Sequence, residues 1–125
     1  MNSLDEHYPI YLQIMNDIKK KIAKGEISPG ERLASVRDMA IVYTVNPNTM
    51  QRVYQELERE GVINTKRGMG SFVTEDEGRV RNIRDSMARE LIENFIKEMN
   101  GLGFAYKEIA SMIEIYCREE MGTNE

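Results

Sequence analysis

The sequence predicts a mainly α chain with a small β-hairpin, in two parts: a helical domain that the hairpin closes, then a two-helix extension. Three observations lead there. Apolar residues recur at helical spacing in five separate stretches. Two short strand-forming runs, Val62-Ile63-Asn64-Thr65 and Ser71-Phe72-Val73-Thr74, flank the basic, glycine-rich Lys66-Arg67-Gly68-Met69-Gly70. The polar break Glu75-Asp76-Glu77-Gly78 divides the chain into residues 1–76 and 77–125. A length of 125 residues suits one domain, or a small domain plus an appendage.

Composition narrows the function classes. Lysine, glutamate or glycine interrupts every apolar run before it reaches the length of a membrane span, and the N-terminus lacks a signal pattern. A cytoplasmic location without membrane contact is the expectation. One cysteine, Cys117, and one histidine, His7, give neither an internal disulfide nor metal-ligand spacing. Cys117 reads as a small packing residue on a helix, and His7 has no assigned role. The net charge of −4 argues against nucleic acid, but it is unevenly spread. Residues 1–75 hold ten Lys and Arg against ten Asp and Glu, whereas residues 76–125 hold seven against eleven. Binding DNA takes a local basic patch rather than a basic total.

Residues 1–8 are polar and expected to be loose. Pro9 suits a helix start. Tyr11, Ile14, Met15, Ile18 and Ile22 then form one apolar stripe, with Lys19, Lys20, Lys21 and Lys24 in the last turns and Gly25 as a stop. The lysines complement the helix dipole and a solvated face, with phosphate contact as the alternative. Pro29-Gly30 predicts a type II turn. Ser35 reads as an N-cap with Asp38 three residues on, and Val36, Met39, Ala40 and Tyr43 share the inner face of the second helix, leaving Arg37 off it. Asn46-Pro47 is a strong start for the third helix. Its inner face holds Met50, Val53, Tyr54 and Leu57; Asn48, Arg52, Gln55 and Arg59 lie opposite, Thr49 and Gln51 on the flanks, and Gly61 ends it. A lone hairpin is marginal, so the two strands must pack on the helices.

A fourth helix is expected from about Arg79 to Asn100. Ala88, Ile92, Phe95, Met99 and Leu102 form a heptad-like seam in it, widened by Ile83, Met87, Leu91 and Ile96. Gly101-Leu102-Gly103 breaks it. The fifth, about Tyr106 to Glu120, carries Ile109, Met112, Ile113 and Tyr116 on one face and lacks a good N-cap at Ala105. Residues 122–125 read as a disordered tail.

The succession of a capped short helix, a tight link, an Asn-Pro-started helix and a basic hairpin is that of a winged helix-turn-helix. A helix placed in the major groove needs an apolar face to hold it and an outer face able to bond base edges. Arg52 suits guanine, and Asn48 or Gln51 suits adenine. Lys66 and Arg67 suit phosphate or minor-groove contact, and Gly68 lets the backbone come close. The plain alternative is a small helical domain with an ordinary polar surface helix; only the whole ordered set outweighs it.

Pro9-Ile10-Tyr11 with Gln13-Ile14, Gly25, Pro29-Gly30, Leu33, Ser35-Val36-Arg37, Asn46-Pro47-Asn48-Thr49, Tyr54, Leu57-Glu58, Gly61 and Arg67-Gly68-Met69-Gly70-Ser71-Phe72-Val73 together resemble the GntR family of bacterial transcription regulators, over residues 8–74. The Asn46–Thr49 run and the short tail look like its YtrA branch; residues 77–125 leave no room for the large effector or aminotransferase-like domains of other branches. The resemblance implies a homodimer on an inverted-repeat operator in double-stranded DNA, usually a repressor and often of neighbouring transporter genes. It carries DNA contact onto Arg37, Asn46, Asn48, Thr49, Gln51 and Gly68, to which the residue reading adds Ser35, Arg52, Lys66 and Arg67. Many relatives have arginine where Pro47 and Gln51 stand, so their operator does not carry over, and the usual proline is replaced by Ala34.

Two helices with broad apolar faces cannot bury both against each other. Met87, Leu91, Phe95, Met99, Ile109, Met112, Ile113 and Tyr116 are therefore expected at a dimer interface. Met87, Phe95, Met99 and Met112 read as core rather than as a ligand box; a small-molecule effector of unknown identity stays open. No cofactor or metal is expected. With no nucleophile–base pair, and Gly68-x-Gly70 too short for a nucleotide fingerprint, neither is catalysis. The competing function is a winged-helix protein–protein interaction module without operator-specific DNA binding.

Overall fold

A computed structural model of the chain describes residues 8–124. The loose segment expected over residues 1–8, apart from Tyr8, lies outside them, as do His7 and Glu125. The helices are α1 (Ile10–Ala23), α2 (Val36–Tyr43), α3 (Pro47–Arg59), α4 (Glu77–Gly101) and α5 (Tyr106–Asn124), with strands β1 (Ile63–Lys66) and β2 (Gly70–Val73) between α3 and α4. The chain forms two compact units that divide between Asp85 and Ser86, inside α4.

In the first unit the apolar stripes fold inward as their spacing predicts. Ile14, Met15, Ile18 and Ile22 of α1, Ala40 of α2, and Met50, Val53, Tyr54 and Leu57 of α3 form one core with Leu33, Val62, Ile63 and Val73. Local chemistry starts and stops the elements. Pro9 is the N-cap of α1, one position before the first helical turn. The Glu31 N–H donates to the Ser28 carbonyl at 3.0 Å, closing a turn around Pro29 and Gly30 (φ 80°). Gly61 (φ 77°) follows the Glu60 C-cap of α3.

β1 and β2 pair antiparallel with Ile63 opposite Val73 and Lys66 opposite Gly70. Residues 30–33 extend this sheet, which the sequence pattern did not indicate. The Val73 N–H donates to the Glu31 carbonyl at 2.9 Å, and the Leu33 N–H to the Ser71 carbonyl at 2.8 Å. Arg32 thereby bridges to Phe72 along the other edge of β2. The added bonds support a hairpin too short to be stable by itself.

α4 starts two residues earlier than the periodicity suggests, because Asp76 caps it: its Oδ1 accepts from the Gly78 N–H at 2.9 Å and the Arg79 N–H at 3.2 Å. Val80 and Ile83 pack on the first core. Ile83 therefore serves that core rather than the expected seam.

In the second unit, Gly103 (φ 95°) ends the α4 turn, and the Phe104 N–H donates to the Met99 carbonyl at 3.2 Å. The missing cap at Ala105 is supplied from downstream: Glu108 Oε1 accepts from the Ala105 N–H at 2.9 Å. Three expectations are corrected. The fifth helix does not end near Glu120, because no proline or left-handed stop follows, and Gly122–Asn124 are helical rather than a disordered tail. Cys117 is exposed, so it is not a packing residue within the chain. Among the described residues of this unit, Ile109 is the one buried side chain.

Leu57, fully buried where α3 meets the hairpin, is expected to be costly to remove. Urea denaturation of Leu57→Ala should show a loss of about 2–5 kcal/mol.

Candidate nucleic-acid interface

The candidate surface rests on how α3 is held. Asn46 is extended (φ −63°, ψ 136°), and its Oδ1 accepts from the Asn48 N–H at 2.7 Å. Pro47 sits in the first turn, where its missing N–H leaves nothing unpaired. The inner four side chains are buried, so Asn48, Gln51 and Gln55 point to solvent and Thr49 is half-buried on the flank. The Tyr54 hydroxyl donates to the Ala34 carbonyl, tying α3 to the segment that leads into α2.

Between α2 and α3 the chain turns through Thr44, the non-glycine residue at positive φ (55°) among those described. A β-branched residue is strained there, by roughly 1–3 kcal/mol. The Val45 N–H donates to the Ala40 carbonyl at 3.0 Å, which holds the link tight. At the start of α2 the Ser35 Oγ accepts from the Asp38 N–H at 3.1 Å, as expected of a cap. Arg37, in the first turn, is exposed, and among the described residues no ion pair engages it.

α1 and α2 are joined by a polar network. The Tyr43 hydroxyl donates to Asp17 Oδ2 at 2.6 Å, and Lys21 Nζ lies 3.2 Å from the same oxygen. The hydrogen bond from Tyr43 lowers the Asp17 carboxyl below its ordinary range against the effect of burial, while Asp17 raises Lys21. Lys19 is paired with Glu60, and Lys24 Nζ lies 2.8 Å from Glu26 Oε1. Lys19 and Lys21 of α1 and Lys24 at its C-cap are thus paired within the chain, as on a solvated, ion-paired face.

Two of the named cations are also engaged, by aromatic rings. The Arg52 guanidinium lies 3.8 Å from the centroid of the Tyr11 ring on α1, so one side of it is engaged by its own domain while the residue stays exposed. Lys66 is the last residue of β1 rather than part of the turn, and its Nζ lies 4.8 Å from the Phe72 ring centroid. The turn itself is Arg67-Gly68-Met69, closed by the Met69 N–H on the Lys66 carbonyl at 2.8 Å, with Gly68 at φ 77°. Nothing lies within 4 Å of where a Gly68 side chain would begin. Arg67 is exposed at this turn. Thr65 Oγ1 donates to Glu58 Oε2 at 2.9 Å, linking the hairpin to the end of α3.

Arg32 was not among the residues singled out from sequence. Its side chain lies over Gly70, where an added Cβ would come within 2.8 Å of Nε. The signal for it was the unseen register of residues 30–33 beside β2.

The expected dimer residues fall in the second unit with little covering them. Leu91 is 70% exposed, Phe95, Met112, Ile113 and Tyr116 are exposed, Met87 and Met99 are half-buried, and Ile109 is buried. Among the described residues no cluster of His, Cys, Asp and Glu is arranged to hold a metal, and no helix is long and apolar enough to cross a membrane.

The fold that carries this surface is shared with known proteins. The family model for bacterial regulatory proteins of the gntR family matches residues 10–73. Over 115 residues the chain is 42% identical to the HTH-type transcriptional regulator YhcF of Bacillus subtilis, covering 92% of this chain and 95% of that protein. It is 40% identical over 91 residues to the HTH-type transcriptional repressor YtrA of the same species, covering 68% and 70% respectively. A solved GntR family transcriptional regulator from Listeria monocytogenes superposes with a TM-score of 0.81 at 41% identity, over 88% of this chain and 96% of that one.

Tyr54 gives this surface a pH signature. Burial, and then the nearby Tyr43, push its hydroxyl from 10.0 up to about 12. The folded value exceeds the unfolded one, so this stabilisation is full below pH 10.0 and is lost as pH rises through about 12. Tyr54→Phe should lose about 1 kcal/mol at neutral pH. In urea denaturation at increasing pH, the gap between parent and variant should narrow over that alkaline window.

Proposed function

The chain belongs to the gntR family of bacterial regulatory proteins, in its YtrA-like branch, and from that premise we propose that it is a homodimeric repressor of an inverted-repeat operator. The family membership makes it a transcriptional regulator with a DNA-binding domain. The observation that carries the finer reading is the division of labour on α3: four side chains anchor its inner face, and its outer face presents Asn48 and Gln51 without partners among the described residues.

In this reading residues 1–76 bind DNA and residues 77–125 join two copies. Asn48 and Gln51 meet base edges, each good bidentate pair contributing about 1–3 kcal/mol of discrimination. Ser35 and Asn46 hold the helix starts whose N–H groups face phosphate, and Thr49 packs at the groove edge. Arg37 and Arg67 neutralise phosphates, Gly68 lets the wing backbone approach, and Lys66 works from beside Phe72. Arg52 acts from its seat on Tyr11, where one face of the guanidinium is engaged and the exposed remainder meets DNA. The second unit supports the dimer: Leu91, Phe95, Met112, Ile113 and Tyr116 leave apolar surface in water that an isologous partner would cover.

Duplexes recovered from a random-sequence pool provide the test. Gln51→Ala should lose discrimination at one base position of each half-site. Arg67→Ala should weaken binding evenly across sequences and lower the salt slope by about 1. If the parent protein shows no salt-sensitive binding to any duplex, the protein-interaction reading replaces this one. Leu91→Asp should turn a dimer into a monomer in size-exclusion chromatography with light scattering. The pH-resolved stability of its first unit should stay that of the parent.

A further inference from the structure

Arg79, in the first turn of α4, was not assigned any role from sequence. Its Nη1 donates to the Glu60 carbonyl at 3.2 Å, at the C-terminal end of α3. Its guanidinium also lies against Gly61: a Cβ there would stand 2.2 Å from Nη1 and 2.8 Å from Cζ. Gly61 thus serves twice, as the left-handed residue after the helix (φ 77°) and as the bare backbone on which Arg79 rests. The Glu60 carboxylate is already paired with Lys19 of α1, and the guanidinium hydrogen-bonds the carbonyl. A cation there meets the negative end of the α3 dipole and one of its last carbonyls.

The other side of this joint is equally fixed. Thr74, buried, donates its N–H to the Val62 carbonyl at 2.9 Å, and its Oγ1 accepts from the Asp76 N–H at 3.2 Å. Asp76 caps α4, and Val80 and Ile83 pack on the core one turn on. Those apolar contacts hold the start of α4 on the core. Arg79 adds a directional bond between the first turn of α4 and the end of the helix that carries Asn48 and Gln51. α4 then runs without a break to Gly101, past the division after Asp85.

We propose that Arg79 is a positioning residue for operator recognition, fixing α3 to the start of α4 so that two reading helices keep one spacing on DNA. The inference rests on the dimeric reading above. Arg79 touches no base in it, so its removal leaves each half-site contact intact and loosens only their mutual register.

The test uses the full chain carrying Arg79→Met, which keeps the apolar stem and removes the donor, and Arg79→Lys as a conservative partner. Probes are duplexes selected by the parent from a random pool, the same sequence cut to a single half-site, and versions with one base pair added or removed at the centre. For Arg79→Met, affinity for the single half-site and the dimer by light scattering should stay as in the parent. Affinity for the full site should fall about tenfold, within the usual range of coupling between sites. The parent's penalty for altered spacing should shrink, and Arg79→Lys should recover part of both. Equal behaviour of parent and Arg79→Met on every duplex overturns the proposal, and so does an equal loss on half-site and full site, which marks a purely structural role. A parent that selects no two-fold site overturns the dimeric reading itself, and this inference with it.

Discussion

Four side chains set the position of α3: Met50, Val53, Tyr54 and Leu57, all buried, three of them fully. They share one face because they fall at helical spacing, and that face has to be covered. α1 and α2 supply the cover on one side and β1 on the other. The polar ties follow the same logic. Tyr54 reaches Ala34, Thr65 reaches Glu58, and Asn46 closes the first turn. A helix held this firmly on one face can present its other face to a partner without reorganising, which is what groove reading demands.

The charge distribution fits the same picture. An acidic chain makes poor non-specific contact with DNA, and Lys19, Lys21 and Lys24 are paired with Glu60, Asp17 and Glu26. The cations left without ion pairs among the described residues include Arg32, Arg37 and Arg67, which lie on the β2-edge strand, the α2 start and the hairpin turn. Attraction is therefore local, and specificity rests on geometry more than on bulk charge.

Much of the fold was legible in the sequence because periodicity and caps are local. Ser35, Asn46-Pro47, the Pro29-Gly30 turn and the inner faces of α1 to α3 all stand where spacing put them. Most of what escaped was non-local. The pairing of residues 30–33 with β2 depends on a register that no pattern in the chain encodes. The Arg52 stack on Tyr11 joins residues on different helices, so an outward residue on a helical wheel proved to be engaged. The cap of α5 was missed because Glu108 supplies it from inside the helix, and the contribution of Val80 and Ile83 because a helix can begin in one core and leave it.

On the proposed reading, the outer face of α3 and the hairpin turn form one DNA-binding surface. Amide chemical shifts followed by nuclear magnetic resonance, as a selected operator duplex is added to the protein, test it directly. The largest changes are expected at the amides of Asn48 to Arg52, Arg37 and Arg67 to Gly70, with small changes at the buried residues of α1. Changes confined to α4 and α5, with α3 and the turn unmoved, would contradict it.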